Sequence, residues 1–194
     1  MTGKTHTAIG MAIGLTLAFK KPIDTQLAII TASTIGALAP DLDHPKGELN
    51  QRLLLINSNF FKTAFYLIVG VVFLYVYVKT QSSLFMFLGL FSFALSISNH
   101  RTFTHSIIGL VLFATIIKLM LMESGSSLTY MGFIIGYTSH LLADSFNTKG
   151  IKLFFPFRAN ISFPLKVKTN GFAEKLIFFL FIWYCIVALI LNFS

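Results

Sequence analysis

The chain has 194 residues, 55% of them apolar and only 11% charged, and fifteen Lys/Arg against seven Asp/Glu give a formal charge of +8. A soluble domain carries roughly 25% charged residues, so with a mean hydropathy of +0.78 a soluble domain, a disordered chain and a coiled coil are all excluded. The composition predicts an all-α membrane protein, a polytopic helical bundle of about 5–7 helices.

Seven apolar stretches follow one another, at 7–19, 27–39, 60–78, 84–98, 107–122, 128–143 and 176–193. A full span needs about 20 residues and at least roughly 17. The third, fifth and seventh stretches are therefore expected to cross or nearly cross, and the first two are short enough for a re-entrant or half-buried hairpin. Lys20-Lys21-Pro22 ends the first stretch, and Pro40 and Pro45 bracket Asp41-Leu42-Asp43-His44 as loop. Gln81-Ser82-Ser83 and Glu123-Ser124-Gly125-Ser126-Ser127 read as polar turns, and Phe146 to Gly171 as a longer aromatic loop with Pro156 and Pro164. The N-terminus carries His6 and lacks a small-x-small site before Lys20, so the first stretch is expected to be a membrane segment, not a cleaved leader. Glycines 10, 14, 132 and 136 suit close helix contacts. One domain is expected over 1–194, with a metal-site core at 1–146, an aromatic and basic loop at 147–173 and a last transmembrane helix at 174–194.

With seven segments, eleven Lys/Arg fall on the N-terminal side and four on the other, namely Lys20, Lys21, Lys79 and Lys118. The positive-inside bias then makes the N-terminal side cytoplasmic. No basic run exceeds two residues and no recognition motif appears, so no nucleic-acid partner is expected. The lone Cys185 excludes an internal disulfide and a thiolate metal site.

Every histidine lies at a segment end on that cytoplasmic side. His6 precedes the first segment; Asp41, Asp43 and His44 follow the second; His100 and His105 lie between the fourth and fifth; His140 and Asp144 close the sixth. The last pair is spaced i,i+4 and shares a helix face. Any one of these residues alone reads as a cap or an interfacial anchor. Together they are a metal site, because ionisable groups in a membrane are costly and mark function. Imidazole and carboxylate without cysteine suit catalytic zinc, or manganese or iron. Eight candidates exceed one ion's need, which leaves room for one or two ions, the second bridged by an aspartate.

Such an ion lowers the pKa of a coordinated water to about 7, and Asp43 or Asp144 is placed to orient or deprotonate that water. Arg101 suits a phosphate through its guanidinium fork, Lys46 and Arg52 add charge at the mouth, and Phe154-Phe155-Pro156-Phe157-Arg158 reads as an interfacial anchor. The expected reaction is hydrolysis of a phosphoester in a lipid or lipid-linked substrate. A metal-ion or proton-coupled transporter is the competing reading, but it would hold its ligands near the bilayer midplane. A non-catalytic adaptor with a structural metal would not need so many ligands.

Thr5-His6-Thr7-Ala8-Ile9-Gly10 is similar to Thr104-His105-Ser106-Ile107-Ile108-Gly109, and the steps from His6 to Asp41 and from His105 to His140 are both 35 residues. A degenerate parallel repeat of helical hairpins, with ligands converging near a pseudo-twofold axis, is expected from this spacing.

Four blocks carry a family resemblance: Lys4-Thr5-His6-Thr7, Pro40-Asp41-Leu42-Asp43-His44-Pro45, His100-Arg101-Thr102-Phe103-Thr104-His105-Ser106 and His140-Leu141-Leu142-Ala143-Asp144. In this order they resemble the YdjM-like family of bacterial inner-membrane-associated proteins described as metal-dependent hydrolases, over roughly Met1 to Phe155. The His140/Asp144 pair is also distantly similar to the His-x-x-x-Asp pair of zinc-dependent phospholipases C and single-strand nucleases, which implies phosphoester hydrolysis. A second His-x-x-x-Glu pair is lacking.

Overall fold

Where no water can satisfy backbone N–H and C=O groups, a single apolar segment meets its own hydrogen-bonding needs only as a helix. The computed structural model describes residues 1–122, 126–157 and 159–193, and among these it holds α-helices and two isolated bridges but no β-strand. Glu123, Ser124 and Gly125 of the expected turn and Arg158 of the expected anchor lie outside the described residues. In chain order come α1 (Gly3–Leu17), α2 (Ile23–Leu38), a 3₁₀ turn (Ala39–Asp43), α3 (Asn50–Leu53), α4 (Asn59–Thr80), α5 (Ser83–Ile97), α6 (Ile107–Met120), α7 (Ser127–Ser145) and α8 (Phe172–Phe193).

Among the described residues two helices are long and apolar enough to cross a bilayer, Asn59–Thr80 and Phe172–Asn192; Ser83–Ile97 and Ile107–Met120 are apolar but shorter. The fifth stretch thus yields a shorter helix than its apolarity suggests, because α6 closes at Met120 with a turn. The four-residue α3 was not expected from the sequence.

The chain forms two compact units. The first comprises Met1–Pro40, Ser126–Ile151 and Asn160–Ser194; the second comprises Asp41–Gly125 and Lys152–Ala159. α1 and α2 pack together in the first unit; of the two helices that follow His105, α6 falls in the second unit and α7 in the first.

In the first unit α2 packs on both α1 and α7. The contact is backbone to backbone. A Cβ at Gly136 would lie 2.1 Å from the Ser33 carbonyl oxygen, and one at Gly36 would lie 2.2 Å from that of Phe133. Small residues permit this approach in membrane helices. Ser33 Oγ donates to the Gly10 carbonyl at 2.7 Å and ties α2 to α1. Ile29, Phe133 and Tyr137 fill the space between. Against α1, α8 sets Cys185 and Ala188 beside Ala12 and Leu15, and Thr16 Oγ1 and Tyr184 Oη share a hydrogen bond of 2.7 Å. Its other face leaves Phe172, Phe179, Trp183 and Ile190 exposed, the surface a lipid-facing helix presents.

In the second unit α4 and α5 form a hairpin whose corner is Gln81, at φ 55°. Gly89 receives Leu74, and Phe91 of α5 meets Phe113 of α6 at 4.2 Å between ring centroids. Ser106 caps α6 by accepting from Gly109 N. Ile107 N donates to the Leu153 carbonyl at 3.0 Å, which pins 152–157 beside the start of α6. Phe154 and Phe157 are exposed, as the expected interfacial anchor requires.

Candidate functional site

Six of the eight expected ligand residues fall into two groups, His6/His140/Asp144 in the first unit and Asp41/His100/His105 in the second. In each group one ligand atom per residue lies within 4.8 Å of the others. No residue belongs to both groups, so neither group supplies the bridging aspartate that the sequence suggested.

The first group rests on the α1, α2 and α7 contact. His140 and Asp144 share the face of α7 that the i,i+4 spacing demands, and the His6 ring stacks on that of His140 at 3.8 Å between centroids. All three side chains are buried, at 1%, 0% and 2% exposure. His140 Nδ1–H donates to the Ala37 carbonyl at 2.7 Å, which leaves Nε2 as the ligand atom. Among the described residues neither ring nitrogen of His6 finds a hydrogen-bond partner, although Nε2 lies 3.3 Å from Asp144 Oδ1. A buried imidazole whose Nδ1 has no hydrogen-bond partner and whose Nε2 has only the Asp144 carboxylate nearby is costly in an apolar surround, and a divalent ion held by two imidazoles and a carboxylate would satisfy it. Asp144 Oδ1 also meets the α-amino group of Met1.

The second group is built on two loops. Asp41 lies within the 3₁₀ turn Ala39–Asp43 and its carbonyl accepts from His44 N at 3.0 Å; the chain then passes so close that a Cβ at Gly47 would lie 2.4 Å from that oxygen. Asn50 Nδ2 donates to the carbonyls of Leu42 and His44, both at 2.8 Å, and Asn50 Oδ1 accepts from Tyr66 Oη at 2.6 Å. Lys62 Nζ donates to the carbonyls of Asp43 at 3.1 Å and Ser98 at 2.7 Å, so one ammonium joins both loops.

Asp43, 1% exposed, stands behind the histidines. Its Oδ1 pairs with His100 Nδ1 at 2.9 Å; its Oδ2 accepts from Arg101 N at 3.0 Å and Thr104 Oγ1 at 2.7 Å. Because the Thr104 proton goes to Asp43, His105 Nδ1–H donates to the Thr104 oxygen, at 3.1 Å. Both rings are thereby turned so that Nε2 faces the group, and His105 Nε2 lies 3.7 Å from Asp41 Oδ1. Carboxylates set behind ligand histidines in this way fix tautomer and ring orientation. Burial disfavours the Asp43 anion, but the charge of His105 and the hydrogen bonds from His100 and His105 outweigh it and hold the carboxyl well below its usual range.

Asp43 and His44, both expected as ligands, belong to neither group. With both oxygens taken up by donors and a depressed carboxyl, Asp43 also fits an orienting role better than that of a base. His44 Nδ1 accepts from Lys46 N at 3.1 Å, and burial, followed by the charge of His100, pushes its imidazole below the ordinary value. His44 instead lines a pocket of about 360 Å³ with Asp43, Lys46, Lys62, Asn99 and His100. Lys46 thus stands where substrate charge was expected. Arg52 does not: its guanidinium, 79% exposed, faces Glu48 at 3.9 Å. Arg101 adopts φ 65°, and its Nε reaches His100 Nε2 at 3.4 Å, so it borders the histidines.

In the sequence no site role falls to Lys62, Asn50 or Tyr66, and Thr104 reads there only as a cap within the His105 motif. Lys62 counted there only as an orientation charge, yet a lysine in the first turn of an otherwise apolar span is itself a signal.

A family model described as YdjM inner membrane protein matches residues 1–193. The chain belongs to this family. The uncharacterized protein YvsG of Bacillus subtilis (strain 168) is 28% identical over 177 residues, covering 91% of this chain and 87% of that protein. The inner membrane proteins YdjM of Escherichia coli (strain K12) and of Shigella flexneri are each 26% identical over 159 residues, covering 80% of this chain. The match spans 64% of the length of those two proteins. No solved structure matches the chain.

Proposed function

We propose that this YdjM-family chain is a multi-pass, membrane-bound, metal-dependent hydrolase that cleaves a phosphoester in a lipid or lipid-linked substrate at the cytoplasmic level of the inner membrane. The observation that carries the reading is the Asp41/His100/His105 group, backed by Asp43 and bordering a pocket of about 360 Å³ that holds Lys46 and Lys62. His6, His140 and Asp144 would hold one divalent ion and Asp41, His100 and His105 another, with zinc, manganese or iron(II) matching the nitrogen and oxygen donor set. When bound, such an ion supplies Lewis acidity and a nucleophile at neutral pH.

The chain's own residues supply the rest. Asp43 and Thr104 hold His100 and His105 in the ligating tautomer, and Lys62 keeps the two ligand-bearing loops in register. Asp41 and His100, whose side chains are 15% and 32% exposed, face the entrance. The buried first group, with no side chain above 2% exposure, has the closed character of a site that keeps its ion. Lipid is favoured as the substrate source because α4, which carries Lys62 into the pocket, is itself long and apolar enough to cross a bilayer.

The test is elemental analysis of the detergent-purified protein, wild type beside His105→Ala and His140→Ala, followed by a screen of phospholipids in mixed micelles. Two equivalents of metal, one lost in each variant, with release of a phosphate or headgroup by wild type alone, is the expected result. A folded protein that takes up no metal after supplementation overturns it. Metal uptake without hydrolysis, joined to zinc flux in proteoliposomes, would replace the hydrolase with a transporter.

A further inference from the structure

A buried ammonium that lacks a carboxylate partner needs a reason, because desolvating it costs several kcal/mol unless an anion or dipoles compensate. Lys62 is such a group. It is 4% exposed, in the first turn of α4, and two of its three N–H bonds go to the carbonyls of Asp43 and Ser98. Among the described residues it forms no ion pair. The one acid lining its pocket is Asp43, and that carboxylate is already held by His100, Arg101 and Thr104.

Apart from His100, whose Nδ1 proton goes to Asp43, the other charged and amide side chains lining the pocket are cations or donors. Lys46 is exposed at the rim and its ammonium makes no ion pair among the described residues. His44 accepts at Nδ1, so its neutral form carries the proton on Nε2 as a donor. Asn59 and Asn99 add side-chain amides. Fixed cations, ring N–H and amide donors around a cavity are the complement of a multivalent oxyanion, and charge-assisted bonds to it are about twice as strong as neutral ones.

We infer that this pocket is an anion subsite for the phosphoryl group of the substrate, with Lys62 as its buried cation and Lys46 as its rim cation. The inference rests on the hydrolase reading for the word substrate, but not for the binding itself. Lys62 then has two tasks. Its carbonyl contacts set the loops that carry Asp41 and His100, and its third N–H meets the anion. Ligand binding and the geometry of the metal group are thereby joined through one nitrogen.

The experiment uses the full chain in detergent, stripped of metal with EDTA, with inorganic phosphate as probe followed by ³¹P NMR line broadening. Dihexanoylphosphatidic acid below its micellar concentration is the second probe. Wild type should bind phosphate more weakly as salt is raised. Lys62→Met should abolish binding while keeping the helical circular dichroism, Lys62→Arg should restore part of it, and Lys46→Gln should weaken it about tenfold. If Lys62→Met does not fold, the exposed Lys46→Gln and the charge-retaining Lys62→Arg decide alone. Tighter binding of the phosphatidic acid supports a lipid headgroup as the source, and equal binding supports a free phosphate in the same subsite. Absence of phosphate binding in wild type, or binding unchanged in both Lys46→Gln and Lys62→Met, overturns the inference. Metal content measured on the same preparations separates the two claims. Lysine-dependent phosphate binding in a protein that takes up no metal would leave the subsite standing and remove the hydrolase. Turnover with lysine-independent binding would do the reverse.

Discussion

Asp43→Asn isolates the role of the carboxylate behind the second group, because it keeps the shape and changes only charge and donor pattern. Arg101 N–H and the Thr104 hydroxyl both point at Oδ2, so the amide oxygen of the variant must take that place. Its NH₂ then falls opposite His100 Nδ1, which now sits 2.9 Å from Oδ1. To avoid two donors meeting, His100 must accept at Nδ1 and carry its proton on Nε2, the nitrogen needed for the metal. Loss of a partner behind a ligand histidine typically costs 10- to 100-fold in metal affinity, about 1.4–2.7 kcal/mol. The assay is zinc titration against a chromophoric chelator on detergent-purified protein, fitted to two classes of site. One class should weaken by that factor while the class assigned to His6, His140 and Asp144 stays as in wild type. Unchanged affinity in both classes would refute the reasoning. So would a loss as complete as in His105→Ala, which would make Asp43 a ligand in its own right.

Asp144→Ala should remove one metal equivalent and leave the other, read by elemental mass spectrometry; retention of both would dissolve the first group. Gly136→Ala drives a Cβ into the Ser33 carbonyl and should lower stability by about 1–3 kcal/mol or more, seen as a fall in Tm by differential scanning fluorimetry in detergent. Zinc affinity should fall as pH drops, since protonation of the imidazoles removes the ligating lone pairs; equilibrium dialysis showing an affinity that does not weaken from about pH 7 to about pH 5 would speak against histidine ligation. Arg52→Ala, on an exposed i,i+4 pair, should leave Tm and phosphate affinity unchanged, and a weaker affinity would bring Arg52 to the pocket after all.

The membrane class, the helical fold and the two longest spans follow from composition and run length, because the bilayer leaves a backbone few options. His140/Asp144 was legible for a similar reason: a 3.6-residue period puts both on one face. The sorting of ligands was not. It depends on α2 meeting α7 through Gly36 and Gly136, and a glycine in an apolar run does not announce its partner. The 35-residue steps from His6 to Asp41 and from His105 to His140 suggested a repeat whose ligands converge, and do not say which residues share a group. In the fold His6 joins His140, and His105 joins Asp41. In the sequence Asp43 reads as one more ligand, but in the fold His100, Arg101 and Thr104 surround its carboxylate; Lys62 reads as a topological charge, but it binds the carbonyls of two loops.

The interruption of the first unit also sets a timetable for assembly. The 85 residues between Pro40 and Ser126 belong to the second unit, and at synthesis rates of about 5–20 residues per second they delay α7 by about 4–17 s. Throughout that interval the groove at Ser33 and Gly36 is uncovered and the Ala37 carbonyl is without its histidine, while α4, α5 and α6 have already been made, so the first unit closes only when α7 is complete.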